Sequence, residues 1–186
     1  MVRGYVDDAI DGFSGNQEVI SFAHHEIHAG DGFVVCSTAT LGNGGTRTVT
    51  FTTPIEGEMH LLISARASKE AHLELIEDVI VSTSSGFYQL AQNRNRNSSN
   101  VSKASNVVDG SVALGSVAID ATLSMAGVVI FEEHFGSGQK AGGEVRDNNE
   151  WNLKTGGQYQ VKMESEAVSN DTQICLNWYE HRRSLE

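Results

Sequence analysis

The chain is nearly devoid of proline, with one in 186 residues. Its turns must therefore come from the 19 glycines, helped by Asn, Asp and Ser. Long apolar runs are missing as well. The longest span a few residues, such as Gly127-Val128-Val129-Ile130-Phe131. A membrane-spanning helix needs roughly 20, so no membrane partner is expected. Met1-Val2-Arg3-Gly4-Tyr5-Val6-Asp7-Asp8 lacks the apolar core of a signal peptide, so export is not expected. Positive charge is scarce: 13 Lys and Arg against 24 Asp and Glu leave a net charge of −11. Displacing phosphate counterions takes clustered positive charge. Nucleic acid is therefore not an expected partner. The two cysteines, Cys36 and Cys175, permit one disulfide at most. Without an export signal their default is a pair of small buried thiols. No stretch of a dozen residues shows the helical period with caps, and no repeat of fixed spacing is visible.

What the chain does have is period-two patterning. Thr46-Arg47-Thr48-Val49-Thr50-Phe51-Thr52 sets Val49 and Phe51 against a face of threonines. Tyr159-Gln160-Val161-Lys162-Met163-Glu164-Ser165 alternates in the same way. So does Thr172-Gln173-Ile174-Cys175-Leu176-Asn177-Trp178-Tyr179-Glu180, with Trp178 or Tyr179 inward. Further strands are expected at 33–38, 59–67, 122–132 and 150–154, and one starting at Val19-Ile20-Ser21-Phe22-Ala23-His24. Residues 71–77 read as a strand or a single helical turn. Eight to ten strands between Gly, Asn and Ser turns predict an all-β, antiparallel sandwich or barrel. The length suits one domain whose core needs no metal.

Three parts follow from composition. Residues 1–16 are an extended acidic arm, either disordered or laid on a neighbour. Residues 17–182 form the β domain, and 183–186 a short tail. Within the domain, 79–108 contains no acid, yet it holds Arg94, Arg96 and Lys103. This segment reads as a long polar loop, the kind that carries contacts.

Few constellations suggest chemistry. His24-His25-Glu26-Ile27-His28 is one residue short of the zinc-protease spacing. As a strand it places His24, Glu26 and His28 on one face, about 7 Å apart, which is wide for one ion. The face reads as a polar surface for a partner, not a metal site. Gly136-Ser137-Gly138-Gln139-Lys140-Ala141-Gly142-Gly143 lacks the P-loop spacing and reads as a flexible loop. No Gly-x-Ser-x-Gly elbow is present, and neither cysteine has surroundings that lower a thiol pKa. No catalytic residue, cofactor or enzymatic activity is expected. Arg94 and Arg96, set among asparagines, suit bidentate contact with carboxylates on a protein partner. Arg94, Arg96, Lys103, His24, Glu26 and His28 are thus the candidate partner contacts.

Four segments carry a likeness to known proteins. They are 20–30, with His25-Glu26-Ile27-His28-Ala29-Gly30; Asn93-Arg94-Asn95-Arg96-Asn97-Ser98; 136–143; and Leu176-Asn177-Trp178-Tyr179-Glu180-His181. Together they resemble a group of small tailed-bacteriophage virion proteins, often capsid decoration (cement) proteins. The likeness spans about residues 18–182 and omits the acidic arm. It implies a β-sandwich or jelly-roll subunit on the outer capsid surface, made in the host cytoplasm. The implied partners are the major capsid protein and further copies of the chain, as a homotrimer at local threefold positions. A tail, baseplate or fibre module with a glycan site is the alternative, with Trp151, Trp178 and Tyr179 as stacking candidates.

Overall fold

The period-two segments become the two faces of a sandwich. The structure, a computed structural model, describes residues 22–82, 86–108, 111–136 and 150–181. The expected arm at 1–16, residues 137–143 of the glycine-rich loop and the tail at 183–186 lie outside these residues. One helix, α1 (Phe22–Ala29), precedes the strands. First come β1 (Gly32–Leu41), β2 (Thr46–Thr52), β3 (Glu58–Ala67) and β4 (Ala71–Glu77). Seven short strands follow: β5 (Ile80–Val81), β6 (Phe87–Leu90), β7 (Gln92–Asn93), β8 (Ser105–Val108), β9 (Ser111–Leu114), β10 (Ser116–Ile119) and β11 (Leu123–Met125). The chain then returns to long pairings through β12 (Val128–Phe135), β13 (Trp151–Leu153), β14 (Gln158–Ser165) and β15 (Asn170–His181).

One sheet runs β13-β3-β15-β1-β7; the other runs β12-β4-β14-β2-β10-β6 along its main path. Without the short strands between β4 and β12, the orders are β13-β3-β15-β1 and β12-β4-β14-β2, all antiparallel. Successive strands β1 to β4 alternate between the sheets, as two Greek keys wound into a jelly roll require. The all-β sandwich expected from the patterning is therefore present, in jelly-roll form. Residues 71–77 are a strand, pairing with both β12 and β14.

Alternation explains the core. Val49 and Phe51 of β2, Leu73 and Leu75 of β4, and Tyr159, Val161 and Met163 of β14 are almost fully buried. They face Phe33 and Val35 of β1, Leu61 and Ile63 of β3, and Ile174, Leu176 and Trp178 of β15. Each such side chain contributes about 1.5–3 kcal/mol by leaving water. Trp178, not Tyr179, is the inward residue of its pair.

Three expectations are corrected. The predicted strand beginning at 19 is helix α1 over its described residues. The basic segment 79–108 is not a plain loop: it contributes β5 to β8. The cysteines are not buried thiols. Inward Val35 and Ser37 turn Cys36 to the outer face, and inward Ile174 and Leu176 do the same to Cys175. Antiparallel register sets Cys36 opposite Cys175, and the two form a disulfide between β1 and β15.

Candidate functional site

The insertion between β4 and β12 covers one flank of the jelly roll. β7 extends the first sheet at β1, while β10 and β6 extend the second beyond β2. Backbone bonds between its segments hold it together: the Ala91 amide donates to the Gly115 carbonyl, and the Gly115 amide to the Ala104 carbonyl.

Helix α1 ends beside this insertion. Gly30, at φ +86°, donates its amide to the Ile27 carbonyl, and the Asp31 amide reaches the Glu26 carbonyl. That pair of bonds is a Schellman cap, which favours glycine at the left-handed position. Three asparagines then satisfy the last helical carbonyls. Asn95 Nδ2 donates to the His28 carbonyl at 2.9 Å, Asn93 Nδ2 to Gly30 at 2.7 Å, and Asn100 Nδ2 to Ala29 at 3.5 Å. Asn93 and Asn95 also accept, through Oδ1, the amides two residues on, which folds the turn. With the asparagines turned towards the helix, Arg94 and Arg96 stand exposed. Arg96 donates to Gln92 Oε1 at 3.3 Å and to the Asn93 carbonyl.

Glu180 locks the other side of the insertion. It is 5 % exposed. Its carboxylate accepts from Ser102 Oγ at 2.5 Å, the Lys103 amide at 2.8 Å, the Ala104 amide at 3.3 Å and Trp178 Nε1 at 2.9 Å. A buried carboxylate with this many donors is compensated for lost water. The Lys103 side chain is left facing solvent.

The expected histidine face is rebuilt by the helix. His24 and His28, four residues apart, share one side, and their Nε2 atoms lie 3.1 Å apart. Glu26 is 8 % exposed and points inward, so it is removed from the candidate surface contacts. His24, His28, Arg94, Arg96 and Lys103 remain exposed. The segments that carried the resemblance, the one beyond 136 apart, meet here: the helix, the Asn-Arg turn and the end of β15 brace one another. The signal for the helix was legible, since Ala29-Gly30 is as good a helix stop as a turn. The role of Glu180 had no local signal.

The insertion also carries exposed large apolar side chains. Phe87, Leu90, Val101 and Leu114 are 57, 65, 65 and 65 % exposed. By contrast, Trp178 and Tyr179 are buried and offer no platform to a sugar ring; Trp151 is half-buried, edge-on to Phe131. An open groove of about 570 Å³ lies on the outer face of the first sheet, lined by Thr38, Thr40, Arg66, Asp171 and Gln173 among others. Asp171 there accepts from Thr40 Oγ1 at 2.7 Å. Among the described residues, groups able to hold a metal gather away from the insertion, at Glu58, His60 and His181 and at His72, Glu132 and His134. No family model and no curated protein matches this chain.

Proposed function

We propose that the chain is a non-enzymatic structural protein of a tailed-phage virion, binding the outer capsid surface and stabilising the head. The observation that carries this reading is the surface of the insertion. The same insertion exposes Phe87, Leu90, Val101 and Leu114 and also Arg94, Arg96 and Lys103, on a chain of net charge −11. Exposed apolar side chains together with arginine are typical of protein interfaces. The cations would pair with an acidic patch of the major capsid protein, and a rigid sandwich would hold them in place. The overall negative charge keeps many copies soluble and away from packaged DNA. A subunit that binds only the assembled shell stabilises it by mass action. The resemblance of 18–182 to decoration proteins points the same way, and adds a homotrimer as the working form.

The test is binding of the purified chain to phage heads stripped of it. Saturable co-sedimentation is expected, weakened by salt and lost in an Arg94→Glu/Arg96→Glu variant. Failure of the wild-type chain to bind, or labelling confined to the tail of intact particles, would overturn the reading.

A further inference from the structure

We infer that Glu58, His60 and His181 form a binding site for a divalent transition metal, with Zn²⁺ the best fit. This does not rest on the capsid reading. β3 and β15 pair so that His181 sits opposite Glu58, and Tyr179 opposite His60. All four residues project from the outer face of the first sheet. Glu58 Oε2 lies 3.3 Å from His181 Nε2 and 3.7 Å from His60 Nε2, and one ligand atom from each of the three falls within 4.8 Å of the others. A tetrahedral zinc with bonds of about 2.0–2.2 Å spaces its ligand atoms roughly 3.3–3.6 Å apart. Only small side-chain rotations separate this arrangement from a coordination sphere. Two imidazoles and one carboxylate are a zinc ligand set, leaving a fourth position for water.

The surroundings of His60 favour a metal over a plain ion-pair cluster. Its Nδ1 donates to Glu150 Oε1 at 2.6 Å. With a carboxylate as acceptor, the proton of that bond sits on Nδ1, which leaves Nε2 as the nitrogen to face an ion, the arrangement seen where a carboxylate supports a metal-ligating histidine. Nε2 is shielded from water and has no hydrogen-bond partner, Glu58 Oε2 lying 3.7 Å away. A buried ring nitrogen left without a partner is unusual and calls for one. The ring is held by stacking on Tyr179, centroids 4.7 Å apart and planes 9° apart. The Tyr179 hydroxyl also donates to Glu150. The ligand side chains are about one-fifth exposed, which leaves an ion a route in. In the group at His72, Glu132 and His134, His72 Nε2 is likewise buried without a hydrogen-bond partner, but Glu132 and His134 are more than 60 % exposed.

The test uses the full chain, without an affinity tag and stripped by chelator, titrated with Zn²⁺ alone and with Co²⁺ alone. One equivalent is expected to bind, and Co²⁺ should give the intense visible bands of a tetrahedral site. His60→Gln and Glu58→Gln should each abolish those bands, while His72→Gln keeps them. Glu150→Gln, which retains every ligand, should weaken binding about 10–100-fold. Absence of saturable binding by the wild-type chain would overturn the proposal, whatever the variants do. So would tetrahedral bands that survive in folded His60→Gln, or that vanish only in His24→Gln.

Discussion

Along β14, Tyr159, Val161 and Met163 are wholly buried, each fitted between β2 and β4; along β6, Phe87 and Leu90 stand more than half exposed. The jelly roll is held by apolar burial between strands mostly of seven or more residues, with a register shift in β12 between Val129 and Phe131. The insertion has strands of two to four residues and rests on side chains that donate to, or accept from, the backbone. The difference shows how one chain separates stability from contact. Hydrophobic burial is non-directional and cooperative, so it suits a scaffold. Directional hydrogen bonds place a turn without consuming its exposed side chains, so they suit an exposed surface.

This contrast makes graded predictions. Phe51→Ala, in the core, should cost about 3–5 kcal/mol; a loss below 1 kcal/mol in urea unfolding would mean the core is looser than described. Reduction of the Cys36–Cys175 disulfide should come next, at about 2–5 kcal/mol, because it ties positions 139 apart in sequence. Free thiols found by mass spectrometry of air-exposed protein would remove that bond from the account. Glu180→Gln should cost about 2–3 kcal/mol through its disturbed donors, with faster amide exchange at 102–104 and little change in β14. Exchange that rises equally in both places would erase the boundary between the regions. Asn93→Ala should cost about 1 kcal/mol and loosen α1, seen as exchange at 22–29. Smallest of all, Arg94→Ala should stay within about 0.5 kcal/mol of the wild type, yet weaken capture by heads. A large stability loss there would make the arginine structural.

The Asn-Arg-Asn-Arg-Asn run was legible as a special feature, and its arginines, read as candidate partner contacts, are exposed. What could not be read was the task of the asparagines, because their acceptors are carbonyls at 28–30, more than sixty residues earlier. The same distance hid the supports of Glu180. At 22–29 a period-two reading failed because short polar segments bear either geometry; the cap at Gly30 and the bonds from the insertion select the helix.

Alternation of apolar and polar residues by itself determined the long strands of the jelly roll, their inward set and hence the all-β class, because side-chain direction in a strand has period two. The winding order, the Cys36–Cys175 bond and the gathering of Glu58 and His60 with His181 were decided only in three dimensions. Each depends on which strand lies beside which, and pairing across more than a hundred residues leaves no mark on local pattern.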